Sequence, residues 1–159
     1  MKKIIVGICL CLGIASAESA FSTKVMLLDQ NATDLVYQLP LKQHQKWLCE
    51  AELANKQKLQ FVSVKAMMQV YQNQDYFLKR HLIPAKIEKL YVQDYLNGER
   101  VDATKAVYLF GSRIVGPHGD DLIPFASYEN AELFKLKHGG TKILPFEKLS
   151  KGLIRYLDM

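Results

Sequence analysis

The stretch Ala106–Phe146, AVYLFGSRIVGPHGDDLIPFASYENAELFKLKHGGTKILPF, decides how this chain folds. Ala106 to Phe110 is a short apolar and aromatic run, a strand by composition. Gly111 to Asp121 is a loop in which Gly116, Pro117 and Gly119 surround His118. Ser127 to Lys137 reads as a helix with a mechanism at each end. Ser127 can accept a backbone N–H as N-cap, and Glu129 places negative charge in the first turn. Ala131, Phe134 and His138 recur at helical spacing, with Leu133 and Leu136 beside them. Lys135, Lys137 and His138 fill the last turn, and Gly139-Gly140 lets the chain leave through positive φ.

Working outward, Ile143 to Phe146 is a closing strand. Glu147 to Leu157 reads as a terminal helix with Leu149, Leu153, Ile154 and Leu157 apolar. Upstream, Leu48–Leu53 and Leu59–Val64 flank the polar tip Ala54–Lys58 as an antiparallel pair. Glu50 and Glu52 alternate with apolar neighbours there, the pattern of a half-buried strand. Ser63 then caps a helix to about Gln72, with Ala66, Met67, Val70 and Tyr71 on one face. The neighbours Met67 and Met68 read as core at that spacing. Ile87–Asp94 is strand-like, and Asn97-Gly98 marks a turn before Val101. Phe61-Val62-Ser63 echoes Phe125-Ala126-Ser127, and the same alignment sets Met67 against Ala131 and Val70 against Phe134. Strand pair, helix, strand then occurs twice. The expected fold is α+β: two ββαβ halves packed together, with a C-terminal helix.

Residues 1–17 read as a secretory leader. Lys2-Lys3 is the basic start, Ile4–Ile14 the apolar stretch and Ala15-Ser16-Ala17 the small-residue cleavage site. Residues 18–45 form an irregular N-terminal segment, and 46–159 a single domain. Cleavage near Glu18 removes Lys2 and Lys3, so the 21 basic residues fall to 19 against 16 acidic and the net charge drops from +5 to +3. The lysines are scattered, which argues against nucleic acid as a partner. No later apolar run is long enough to span a membrane. The expectation is a soluble protein after export. Cys9 and Cys11 lie inside the leader, so Cys49 alone remains, and one thiol cannot form an internal disulfide. In an oxidising compartment it packs in a core, pairs between molecules or binds metal.

No nucleophile elbow, phosphate loop, zinc spacing or haem-attachment motif is present, so the chain reads as a non-enzyme. The candidate metal ligands are His118, His44 and Cys49, with His118 foremost. His118 sits in a loop with little bulk to cover its ring, His44 in the turn feeding the first strand, and Cys49 in that strand. His138, before Gly-Gly, is favourable at a helix C-terminus without any ligand.

From Trp47 to Leu149 the chain resembles the NosL family, periplasmic copper-binding accessory proteins of nitrous-oxide reductase maturation. The residues that carry the resemblance are Gly111-Ser112, Gly116-Pro117-His118-Gly119, Pro124-Phe125, the alanine-containing helix and His138-Gly139-Gly140. Tyr91–Tyr95 and Asp102-Ala103 extend it upstream. The resemblance implies a fold of two ββαβ halves, copper as Cu(I) or Cu(II), and a periplasmic protein. Its partner would be a periplasmic copper enzyme or the machinery that matures it. Two departures stand out. His118 occupies the place where the family usually has methionine, and no cysteine–methionine cluster precedes Trp47. Imidazole in place of a thioether suits Cu(II), Zn(II) and Cu(I) alike. The alternative is an interaction module on the same scaffold without metal.

Overall fold

A computed structural model describes residues 25–159, and the leader expected over residues 1–17 lies outside them. Strand β1 (Cys49–Leu53) forms a hairpin with β2 (Lys58–Phe61), and helices α1 (Val64–Gln72) and α2 (Gln74–Lys79) follow. The chain returns as β3 (Ile87–Gln93), which pairs with β1 and with β4 (Arg100–Asp102). The second half repeats the plan: β5 (Val107–Phe110), β6 (Ile123–Phe125), α3 (Tyr128–His138) and β7 (Lys142–Pro145). The sheets run β2-β1-β3-β4 and β6-β5-β7, antiparallel throughout. This is the α+β architecture of two ββαβ halves.

The repeat is more extensive than its echo in sequence. Cys49 pairs with Phe61 and Val92, and Val107 pairs with Phe125 and Pro145, so Cys49 and Val107 are counterparts. Ser63 accepts from Ala66 N as N-cap of α1, and Ser127 accepts from Asn130 N as N-cap of α3. A second duplicated device lies upstream of each strand pair. The Asp34 carboxylate accepts from the backbone N–H groups of Val36 and Tyr37, and the Asp94 carboxylate from those of Leu96 and Asn97. Their remaining oxygens accept from Val62 N and Ala126 N, the residues just before the two capping serines. Gln38 N donates to Asp34 O and Gly98 N to Asp94 O, and both donors have positive φ, 57° and 77°. Each buried aspartate thus satisfies three backbone donors and ties a turn to the start of its half's helix.

The larger core gathers residues of both halves, including Phe61, Met67, Met68, Val92, Tyr108 and Leu122. A smaller one holds Trp47, Leu109, Ile123, Phe125, Ala131 and Phe134. Trp47 comes from the first half, sits in a 3-10 turn rather than in the strand, and meets Tyr95 edge-on at 5.1 Å. Fully burying each large side chain stabilises by about 1.5–3 kcal/mol, so the crossing of Trp47 contributes materially to the union of the halves.

Two local readings are corrected. The terminal helix is shorter than Glu147–Leu157: a 3-10 turn over Phe146–Lys148 is followed by α4 (Lys151–Leu157). Ser150 starts α4 anew by accepting from Leu153 N. Glu50, expected on the solvent side of its strand, is 1% exposed because Arg100 at 2.9 Å and Lys58 at 3.3 Å cover it. Leu133 and Leu136 lie on the solvent face of α3, while Ala131 and Phe134 fill the core.

Candidate metal site

His118 rides on a turn closed by Gly116 N donating to Gly119 O at 2.8 Å. Gly119 has φ +81°, a conformation that L side chains adopt at a cost. A Cβ on Gly116 would lie 2.7 Å from Asp121 Cβ, so that glycine lets the loop settle onto Asp121. The turn therefore has one accessible functional side chain, the imidazole, which is 55% exposed.

Residues remote in sequence hold that imidazole. The Tyr37 ring stacks on it with centroids 4.1 Å apart and planes 11° from parallel. The Tyr37 hydroxyl donates to Asp158 Oδ1 at 2.6 Å and accepts from Gln69 Nε2 at 2.7 Å. His118 Nδ1 lies 4.0 Å from the same Asp158 oxygen. Beneath the turn, the buried Lys65 ammonium donates to His118 O at 2.6 Å and to Leu157 O at 2.9 Å, and lies 3.5 Å from Asp158 Oδ1. One lysine on α1 thereby joins the histidine turn to the end of α4.

The electrostatics follow from this arrangement. Burial opposes the charge on Asp158, but the Tyr37 hydroxyl and the Lys65 ammonium outweigh it and hold the carboxyl below its usual range. Burial and the Asp158 hydrogen bond hold the Tyr37 phenol well above its usual range. Asp121 is different. Its Oδ1 accepts from Lys65 N and Leu122 N, whereas its Oδ2 is buried with no hydrogen-bond partner. Burial pushes its pKa up to about 6, against the pull of the Ser63 hydroxyl and the backbone donors.

The three candidate ligands are not brought together by any hydrogen bond or ion pair among the described residues. Cys49 is fully buried in the central strand, its Sγ 3.4 Å from Trp47 O. Burial, with Asp121 and Asp34 adding to it, pushes its thiol far up, which disfavours the thiolate a metal needs. His44 is half-buried between two 3-10 turns, where its backbone N donates to Leu41 O and its carbonyl accepts from Trp47 N. His138 stacks near Phe134, with centroids 4.3 Å apart, and its carbonyl accepts from Arg113 N. Among the described residues no group of three or more His, Cys, Asp or Glu side chains converges on one point. Tyr37, Lys65 and Asp158 carried no signal in the sequence, since each reads alone as an ordinary surface residue.

Fold and loop define a class: a small α+β domain of duplicated halves that presents one side chain on a glycine-framed turn. The sequence profile of the NosL family matches residues 25–154, and the chain belongs to that family. A copper-binding lipoprotein NosL from Stutzerimonas stutzeri is 33% identical over 75 residues, covering 42% of this chain and 39% of that relative. The chain thus matches well under half the length of that protein. The crystal structure of the copper chaperone NosL from Shewanella denitrificans matches with a TM-score of 0.59 at 16% identity, covering 82% of this chain and 98% of that one. At that identity it is the fold that is shared. The solution structure of apo-NosL from Achromobacter cycloclastes gives a TM-score of 0.47 at 22% identity, covering 67% and 87% of the two chains.

Proposed function

We propose that this protein is an exported metal-delivery protein whose cargo is copper and whose His118 is the residue through which the ion is held. The observation that carries the reading is the presentation of His118: an exposed imidazole on the turn between two glycines, its ring stacked and its main chain anchored from below. A ligand on such a turn can be loaded and unloaded without disturbing the core. Membership of the NosL family and the names of its relatives supply copper as the cargo. No helix among the described residues is long and apolar enough to cross a membrane. The leader read in the sequence supports a protein working in the periplasm. Its partner is a copper enzyme or its maturation machinery, with nitrous-oxide reductase as the case the family suggests.

The test is an anaerobic competition of the exported protein for Cu(I) and an aerobic one for Cu(II), against chromophoric chelators. His118→Ala is expected to lower copper affinity at least ~10-fold, about 1.4 kcal/mol, while the apo-protein melts where it did before. His118→Met is expected to shift preference toward Cu(I), because a thioether is softer than an imidazole. Unchanged affinity in both variants would remove the site from this turn. A second reading, an interaction module without metal, draws on the exposed Tyr128, Leu133 and Leu136 of α3, and would then lead.

A further inference from the structure

Resting on the reading that His118 holds the ion, we infer that Asp158 is its second protein ligand, and that this imidazole–carboxylate pair takes a divalent ion, Cu(II) before Zn(II), in preference to Cu(I). Two donors each about 2.0–2.2 Å from an ion lie ~3–4 Å apart. His118 Nδ1 and Asp158 Oδ1 are 4.0 Å apart and both side chains reach solvent, so an ion between them needs little rearrangement. The pair is also oriented beforehand. Tyr37 stacks on the ring and donates to the carboxylate, so one side chain sets both donors. This is the kind of outer contact that aims metal ligands.

The donor chemistry points the same way. Among the described residues the soft donors that favour Cu(I), Met159 apart, are Cys49, Met26, Met67 and Met68, and all four are buried in the larger core. What the surface offers beside His118 is an oxygen anion, and nitrogen-with-oxygen sets suit Cu(II) and Zn(II), with Cu(II) the tighter in the general order of affinities. Lys65, 3.5 Å from the same oxygen, competes with any cation for it. A pair of donors that shares its carboxylate with an ammonium holds an ion loosely, as befits cargo to be passed on. Met159, exposed and next in the chain, is the soft donor to be excluded by experiment.

The experiment measures Cu(II), Zn(II) and Cu(I) affinities of the full exported chain and of Asp158→Asn, Tyr37→Phe, His118→Ala and Met159→Leu, together with Cu(II) electron paramagnetic resonance. Asparagine still accepts the Tyr37 hydroxyl, so Asp158→Asn keeps the packing and removes the charge. Asp158→Asn is expected to weaken Cu(II) and Zn(II) at least ~10-fold and Cu(I) less than ~3-fold, and to shift the Cu(II) hyperfine parameters while the imidazole nitrogen coupling stays. Tyr37→Phe, which keeps the stacked ring and the carboxylate but loses the hydrogen bond that aims it, is expected to weaken Cu(II) by a smaller factor than Asp158→Asn and to leave the Cu(II) hyperfine parameters in place. If His118→Ala abolishes binding and Asp158→Asn leaves it untouched, the histidine site stands and the carboxylate ligand falls. If neither variant matters, both fall together. Loss in Tyr37→Phe equal to that in Asp158→Asn would make Asp158 a positioning residue instead, and a Cu(I) preference that disappears in Met159→Leu would overturn the inference outright.

Discussion

The two halves share a plan; the first adds the helix α2 and the edge strand β4, and the difference that bears on the site lies at one hairpin. In the first half β1 and β2 are joined by the short turn Ala54–Gln57, whereas in the second β5 and β6 are joined by the long connection Gly111–Leu122. Everything around the hairpins matches: the aspartate turn, the central strand, the phenylalanine before the helix and the serine cap. The longer connection carries His118 and Asp121 and folds back onto α1, where Asp121 Oδ1 accepts from Lys65 N. With the two capping serines aligned, Lys65 itself corresponds to the exposed Glu129 of α3. The scaffold is therefore duplicated, and the site exists because one copy extended a loop and the other copy buried a lysine to receive it.

The equivalence of the two halves rests most heavily on the paired aspartates. Asp34→Ala and Asp94→Ala each strand three backbone donors, so each is expected to cost about 4 kcal/mol in urea unfolding, and by similar amounts. A cost confined to one of them would show that the two turns are not equivalent in energy. Next in size, Lys65→Met leaves His118 O and Leu157 O without their donor and is expected to cost about 3 kcal/mol. Its counterpart Glu129→Met should stay within ~0.5 kcal/mol, because an exposed helix position has little to lose.

Asp121 belongs to the extended loop alone, and its effect is read through pH. Its folded pKa of about 6 lies above the ordinary 3.8, so the folded state takes up the proton first as pH falls. Its contribution to stability is complete below pH ~4 and is lost as pH rises through about 6. Relative to Asp121→Asn, the wild-type protein is thus expected to lose on the order of 2–3 kcal/mol between pH 4 and 7 in parallel denaturation series. A flat difference would mean that the buried carboxyl ionises as readily in the fold as in the unfolded chain. The smallest expected effect tests the central strands. Cys49→Val installs the residue that its counterpart Val107 carries, and should cost less than ~1.5 kcal/mol and leave copper affinity unchanged. Loss of copper with an intact fold would restore Cys49 as a ligand.

How much of this was legible in advance depended on how local the cause was. The caps at Ser63 and Ser127, the strand alternation and the turn at Asn97-Gly98 each rest on neighbours close in the chain, and the structure has them where the sequence places them. The duplication left only a faint trace because no single offset relates the halves. Asp34 answers to Asp94, Cys49 to Val107, Ser63 to Ser127 and Val92 to Pro145, and the interval changes from each pair to the next as loops of different length intervene. A fixed-period comparison catches only one of these segments.

The sequence alone was enough for the α+β class, the starts of α1 and α3, and a glycine-framed turn at His118, since all of these follow from local backbone chemistry. Tertiary structure alone decided what His118 faces. Tyr37, Lys65 and Asp158 come from the entrance of the chain, from α1 and from the end of α4, and nothing in the chemistry of a lysine in a helix says that it will be buried. That outcome needed two carbonyls and a carboxylate to arrive from other elements and satisfy the ammonium. Charge burial is decided by partners, and partners are set by how the halves pack.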